Sequence, residues 1–112
     1  MKLNILSDLH LDLNKDFPFN LEQKDIFTII CGDISKNVSE TCKWIKNNIS
    51  SGVFVEGNHI GYQNSKPIQE ILENLSTDFP LNNNISHLNN SYKIIEDIVF
   101  VGGIFTININ NY

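Results

Sequence analysis

Ile26-Phe27-Thr28-Ile29-Ile30-Cys31-Gly32-Asp33 is the stretch that sets the fold class. From Ile26 to Cys31 apolar and polar residues do not alternate, the pattern of a strand covered on both faces by other layers. The strand ends in a polar turn, Gly32-Asp33. On either side of it the same design recurs. Upstream, Leu3 to Leu6 reads as a short strand running straight into Ser7-Asp8-Leu9-His10. Downstream, Gly52 to Glu56 reads as a third strand, ending in Gly57-Asn58-His59. Between the second and third strands Val38, Cys42, Ile45 and Ile49 share one helical face, with Asn37 as N-cap and Glu40 as its capping-box partner. Ile68, Ile71, Leu72 and Leu75 mark a second amphipathic helix, with Pro67 near its first turn. Strands alternating with helices predict an α/β fold with right-handed crossovers and a largely parallel sheet, whose ligands collect beyond the carboxyl ends of the strands.

The last third changes character. Ile85 to Leu88, Ser91 to Ile95 and Ile98 to Val101 read as three short strands, separated by the turn-favouring pairs Asn89-Asn90 and Glu96-Asp97. A β-meander is the expectation there. Gly102-Gly103 leads into Ile104-Phe105-Thr106, and Asn82-Asn83-Asn84 reads as a loop.

The 112 residues, 41% of them hydrophobic, suit one domain with a modest core, spanning 1–112. Thirteen carboxylates face eight cations, all lysine, so the charge balance offers no surface for neutralising a nucleic-acid backbone. Asn4, Asp8 and His10 interrupt the apolar stretch a secretory signal needs, and no apolar run approaches a membrane span. Two cysteines do not make a disulfide framework, so a reduced cytoplasmic setting is expected.

Asp8 and His10, then Asp33, then Asn58 and His59 stand at three strand ends. In a parallel sheet those ends share one edge, which lets residues distant in sequence converge. Carboxylate oxygen and imidazole nitrogen suit manganese, iron or zinc, and the two oxygens of Asp33 can bridge a pair of cations. Blander readings stand beside this one. Asp8, Asp33 and Asn58 are common turn residues, and His59 reads equally as a surface-loop histidine.

Asp8-Leu9-His10, Gly32-Asp33 and Gly57-Asn58-His59 resemble the first three motifs of calcineurin-like metallophosphoesterases, in the same order and each at a strand end. The resemblance extends from Met1 to about the helix after His59, and more weakly to Thr106. It implies the N-terminal portion of a two-sheet α/β sandwich with an incomplete second sheet. It also implies that Asp8 and His10 bind a first metal, that Asp33 bridges, that Asn58 binds a second, and that His59 contacts substrate or protonates the leaving oxygen. The cofactors implied are two divalent ions, and the reaction is hydrolysis of a phosphomonoester or phosphodiester, in which such a pair acidifies water and clamps phosphoryl oxygens. Bound cations also reverse the field that Asp8 and Asp33 would turn against a phosphate.

The family carries a later Gly-His and a final Gly-His-x-His, and neither occurs here; after His59 the only histidine is His87, without the glycine. That leaves Asp8, His10 and Asp33 for the first metal and only Asp33 and Asn58 for the second, which is therefore the weaker site. Ile60 stands where the family places an acidic residue after the histidine. Impaired activity in a chain truncated at its C-terminus is the expectation. The alternatives are an inactive remnant or binding module, or one half of a split enzyme. The partners expected are a phosphate-ester substrate, no membrane, and either self-association through an unpaired sheet edge or a complementing C-terminal chain.

Overall fold

The computed structural model describes residues 2–13, 25–57, 81 and 84–103. Along them run β1 (Leu3–Leu6), β2 (Phe27–Cys31), α1 (Val38–Asn48), β3 (Gly52–Val55), β4 (Ile85–His87), β5 (Ser91–Ile95) and β6 (Ile98–Gly102). The first four strands form a parallel sheet in the order β1-β2-β3-β4, and β5 and β6 form a separate antiparallel pair. The architecture is thus mixed α/β, with a parallel sheet as expected. The helix expected around 68–75 and the segment from Ile104 onward lie outside the described residues.

The β2-α1-β3 crossover lays α1 on one face of the parallel sheet, where Ile30, Phe54 and Ile85 from three strands pack with Val38, Cys42, Ile45 and Ile49 in one core. Ile45, Phe54 and Ile49 are essentially inaccessible to water, and each such side chain contributes about 1.5–3 kcal/mol of burial. The other face takes the hairpin: β6 packs against β3, and the Phe27 and Phe100 rings meet at 5.2 Å.

The start of α1 follows its sequence with one change. Asn37 Oδ1 accepts from the Glu40 backbone N–H at 2.9 Å, the cap expected of it. The reciprocal half of the capping box is replaced: the Asn37 backbone N–H donates to Ser35 Oγ at 3.1 Å. Ser35 is buried at the turn and reaches that donor without spending Glu40 on it.

The meander expectation is corrected. Ile85–His87 does not pair with β5 but lies parallel to β3, with Phe54 opposite His87 and the Leu88 N–H donating to the Phe54 carbonyl at 2.9 Å. Ile85 is drawn into the α1 core, which outweighs the local pull of the Asn89-Asn90 turn. The β5–β6 turn is as read: Glu96 and Asp97 take φ of 50° and 67°, the left-handed pair of a two-residue hairpin turn. Tyr92 pairs with Val101 and Ile94 with Val99, and all four side chains stand exposed on the hairpin's outward face.

His87 sits in β4 with its ring 4.7 Å from that of Phe54, and its Nε2 is buried without a hydrogen-bond partner among the described residues. Burial pushes its pKa from 6.5 down to about 4. The folded protein therefore keeps the ring neutral where the unfolded chain protonates. Stability from this group is complete above about pH 6.5 and is lost as pH falls toward 4. Because the ring is only half-buried, the loss is about 2 kcal/mol rather than the full linkage value. Thermal melts between pH 7 and 4.5 check this: His87→Phe, which retains a ring against Phe54, should lose visibly less stability over that range than the wild type.

Candidate metal centre

Beyond the end of β1, Leu9 and Leu11 are buried in the α1 core, while Asp8 is exposed and His10 partly exposed. Backbone hydrogen bonds hold this segment beside the one that follows β2: Asp8 N to Gly32 O at 3.0 Å, His10 N to Asp33 O at 3.1 Å and Leu11 N to Ile34 O at 2.7 Å. The two apolar anchors and these backbone bonds fix Asp8 and His10 beside the Gly32–Asp33 turn.

Asp8, His10 and Asp33 converge: one donor atom from each lies within 4.8 Å of the others. His10 Nε2 stands 3.6 Å from Asp8 Oδ1, with Asp8 the more exposed of the two. Around a cation with bonds of about 2.1 Å, adjacent donors stand about 3 Å apart and opposite donors about 4.2 Å. Side-chain rotation is enough to reach that spacing from the one observed. Two oxygens and an imidazole nitrogen match manganese, iron or zinc better than calcium or magnesium.

All three residues adopt left-handed backbone, with φ of 56° at Asp8, 48° at His10 and 55° at Asp33, next to Gly32 at 90°. Such conformations cost on the order of 1 kcal/mol per non-glycine residue and collect at functional sites. Among the described residues the other non-glycine positions with positive φ, Asn90, Glu96 and Asp97, lie at the two ends of the hairpin, so left-handed backbone there is confined to turns and to the candidate ligands.

Gly57 closes the site from the third strand. A Cβ there would collide with Asp33 Oδ1 and Cγ and would lie 2.7 Å from the Asp33 amide nitrogen. The Asp33 carboxylate rests directly on the bare Gly57 backbone. Asn58 and His59 follow immediately in sequence and lie outside the described residues. No protein-family model, curated protein or solved structure matches the chain. The chemistry of the site therefore rests on its own donors and geometry.

Two nearby residues sit otherwise than their residue types alone suggest. Asp12 is no freely solvated carboxylate: its Oδ2 pairs with Lys36 Nζ at 3.8 Å, and the side chain is largely buried. Cys31 is exposed rather than buried, because Thr28 and Ile30 take the α1 side of β2 and leave Cys31 on the other side at the strand's end. Cys42 is buried, and burial, aided by the charge of Glu56, pushes its thiol up to about 12. That thiol is inert at neutral pH.

Glu56 is the residue that reading the sequence as motifs passed over. It is 3% exposed, and its Oε1 has no hydrogen-bond partner among the described residues. Burial first, and the nearby Asp33 carboxylate second, push its pKa from 4.5 up to about 8. Its parity carried the signal: Phe54 faces α1, and two residues on, at the strand's carboxyl end, Glu56 faces the same way.

Proposed function

We propose that this chain builds a divalent-metal centre for hydrolysis of phosphate esters, along the lines of the calcineurin-like metallophosphoesterases its motifs resemble. The observation that carries the proposal is the meeting of Asp8, His10 and Asp33 from two adjacent strand ends, with every one of them in left-handed backbone. Bound divalent cations would supply Lewis acidity and neutralise phosphate charge. Asp8, His10 and Asp33 would hold the first ion, and Asp33 with Asn58 would hold a second. His59 would donate a proton to the leaving oxygen, a step typically worth about 10²- to 10⁴-fold in rate. No helix among the described residues is long and apolar enough to cross a membrane. Two free thiols agree with a reducing compartment such as the cytoplasm.

A specific observation favours a second reading, a metal-binding module without turnover. The only histidine beyond His59 is His87, and it stacks on Phe54 in β4, outside the Asp8–His10–Asp33 cluster. The second ion would then depend on Asp33 and Asn58 alone. Manganese-dependent hydrolysis of a chromogenic phosphodiester separates the two readings. The hydrolase reading expects turnover that needs the metal and falls by at least about 100-fold in Asp33→Asn. Turnover indifferent to that substitution would refute it, whereas bound metal with no turnover would establish the module.

A further inference from the structure

We propose that Lys36 is a positioning residue of the metal centre: its ion pair with Asp12 pins the turn that starts at His10 against the segment that carries Asp33. The inference rests on the metal-centre reading and goes beyond it, since the motifs assign neither Lys36 nor Asp12 a role.

Three observations support it. The first is a ladder of contacts between the two ligand-bearing segments. The Asp8, His10 and Leu11 N–H groups donate to the Gly32, Asp33 and Ile34 carbonyls at 3.0, 3.1 and 2.7 Å. Next along the chain comes a side-chain rung, Lys36 Nζ to Asp12 Oδ2 at 3.8 Å. The second is what holds each partner. The Leu13 N–H donates to the His10 carbonyl at 2.8 Å, so Asp12 stands inside a tight turn that begins at a candidate ligand. Lys36 stands between Ser35, which is buried, and Asn37, the N-cap of α1, and Ser35 Oγ accepts the Asn37 N–H at 3.1 Å. The pair therefore ties the His10 turn to the start of the helix. The third is cost. The Asp12 side chain is only 16% exposed and that of Lys36 30%, and Asp12 Oδ1 is buried without a hydrogen-bond partner among the described residues. Charges drawn this far out of water gain little net stability from pairing, although breaking the pair is costly. What the pair supplies is fixed geometry. The left-handed backbone at Asp8, His10 and Asp33 persists only where the surroundings over-determine it, and this contact is one such constraint. Residues behind a ligand commonly tune metal affinity by about 10- to 100-fold.

The test is Mn²⁺ titration by calorimetry on the full chain, at one fixed pH, for wild type, Lys36→Met, Lys36→Arg and the double variant Asp12→Asn with Lys36→Met, with thermal melts of each protein in chelator. By charge alone, deleting a lysine would favour a bound cation. Positioning has the opposite sign: Lys36→Met should weaken Mn²⁺ binding by about 10- to 100-fold, and Lys36→Arg, which keeps the pair, should restore most of it. The double variant leaves no charge unpaired, so it should melt closer to wild type than Lys36→Met does while binding Mn²⁺ no better. Unchanged or tighter binding in Lys36→Met would overturn the proposal, and so would affinity that recovers together with stability in the double variant, which would make the pair a purely structural part. A wild-type chain that takes up no Mn²⁺ at all would overturn the metal-centre reading and this inference with it.

Discussion

Gly57→Ala is expected to weaken divalent-metal binding by more than about 100-fold, although it adds one methyl group to a residue that is not itself a ligand. The methyl would occupy the space of the Asp33 carboxylate, colliding with Oδ1 and Cγ and standing 2.7 Å from the Asp33 backbone nitrogen. Neither side can yield cheaply. Asp33 is held at φ 55° and accepts the His10 N–H through its carbonyl, so its backbone cannot retreat without disturbing a second ligand. Gly57 directly follows Glu56, whose side chain is locked in the interior. The carboxylate must therefore rotate away from the cluster, and the site loses the residue proposed to bridge. Forced packing of this kind also lowers stability, by about 1–3 kcal/mol. Mn²⁺ calorimetry and a thermal melt on the same sample check both effects, and near-normal affinity would show that Asp33 is not held where the site needs it.

The largest effect on folding is expected from Phe54→Ala. Phe54 is 1% exposed, packs into the α1 core and bears the His87 ring at 4.7 Å. Removing a buried phenyl ring costs about 3–5 kcal/mol through lost burial and the cavity left behind. Since domains are stable by only about 5–15 kcal/mol, much of the protein's stability would go. The hairpin offers the contrast. Val99, 56% exposed on the outward face, should tolerate alanine within about 0.5 kcal/mol. Urea denaturation of the two variants against wild type measures the difference directly, and equal losses would contradict the placement of the core on the α1 side.

How much of this was legible in the sequence varies by residue, for physical reasons. The β2 run was plain because a strand inside a parallel sheet has apolar neighbours on both faces and shows no alternation. Convergence of Asp8, His10 and Asp33 was equally accessible, since adjacent parallel strands present their carboxyl ends side by side. β4 was assigned to the wrong sheet. Its bounds, Ile85–His87, give a strand too short to reveal its partner, and its Asn89-Asn90 turn suits a meander as well as a change of sheet. Cys31 misled because residue type suggested burial while strand parity placed it on the less covered side. Glu56 was missed for the opposite reason: its type suggested solvent, while the parity it shares with Phe54 pointed inward. Left-handed backbone at His10 has no sequence signature at all, being imposed by the bonds that tie 8–11 to 32–34.

A shared grip on divalent ions by side chains from neighbouring strand ends is tested most directly by metal content after gel filtration in Mn²⁺-containing buffer. About one tightly held ion or more per wild-type chain, lost in Asp33→Asn with the fold intact by circular dichroism, is the result expected. A wild-type chain that emerges folded but metal-free, or an Asp33→Asn chain that retains its full complement, would contradict it.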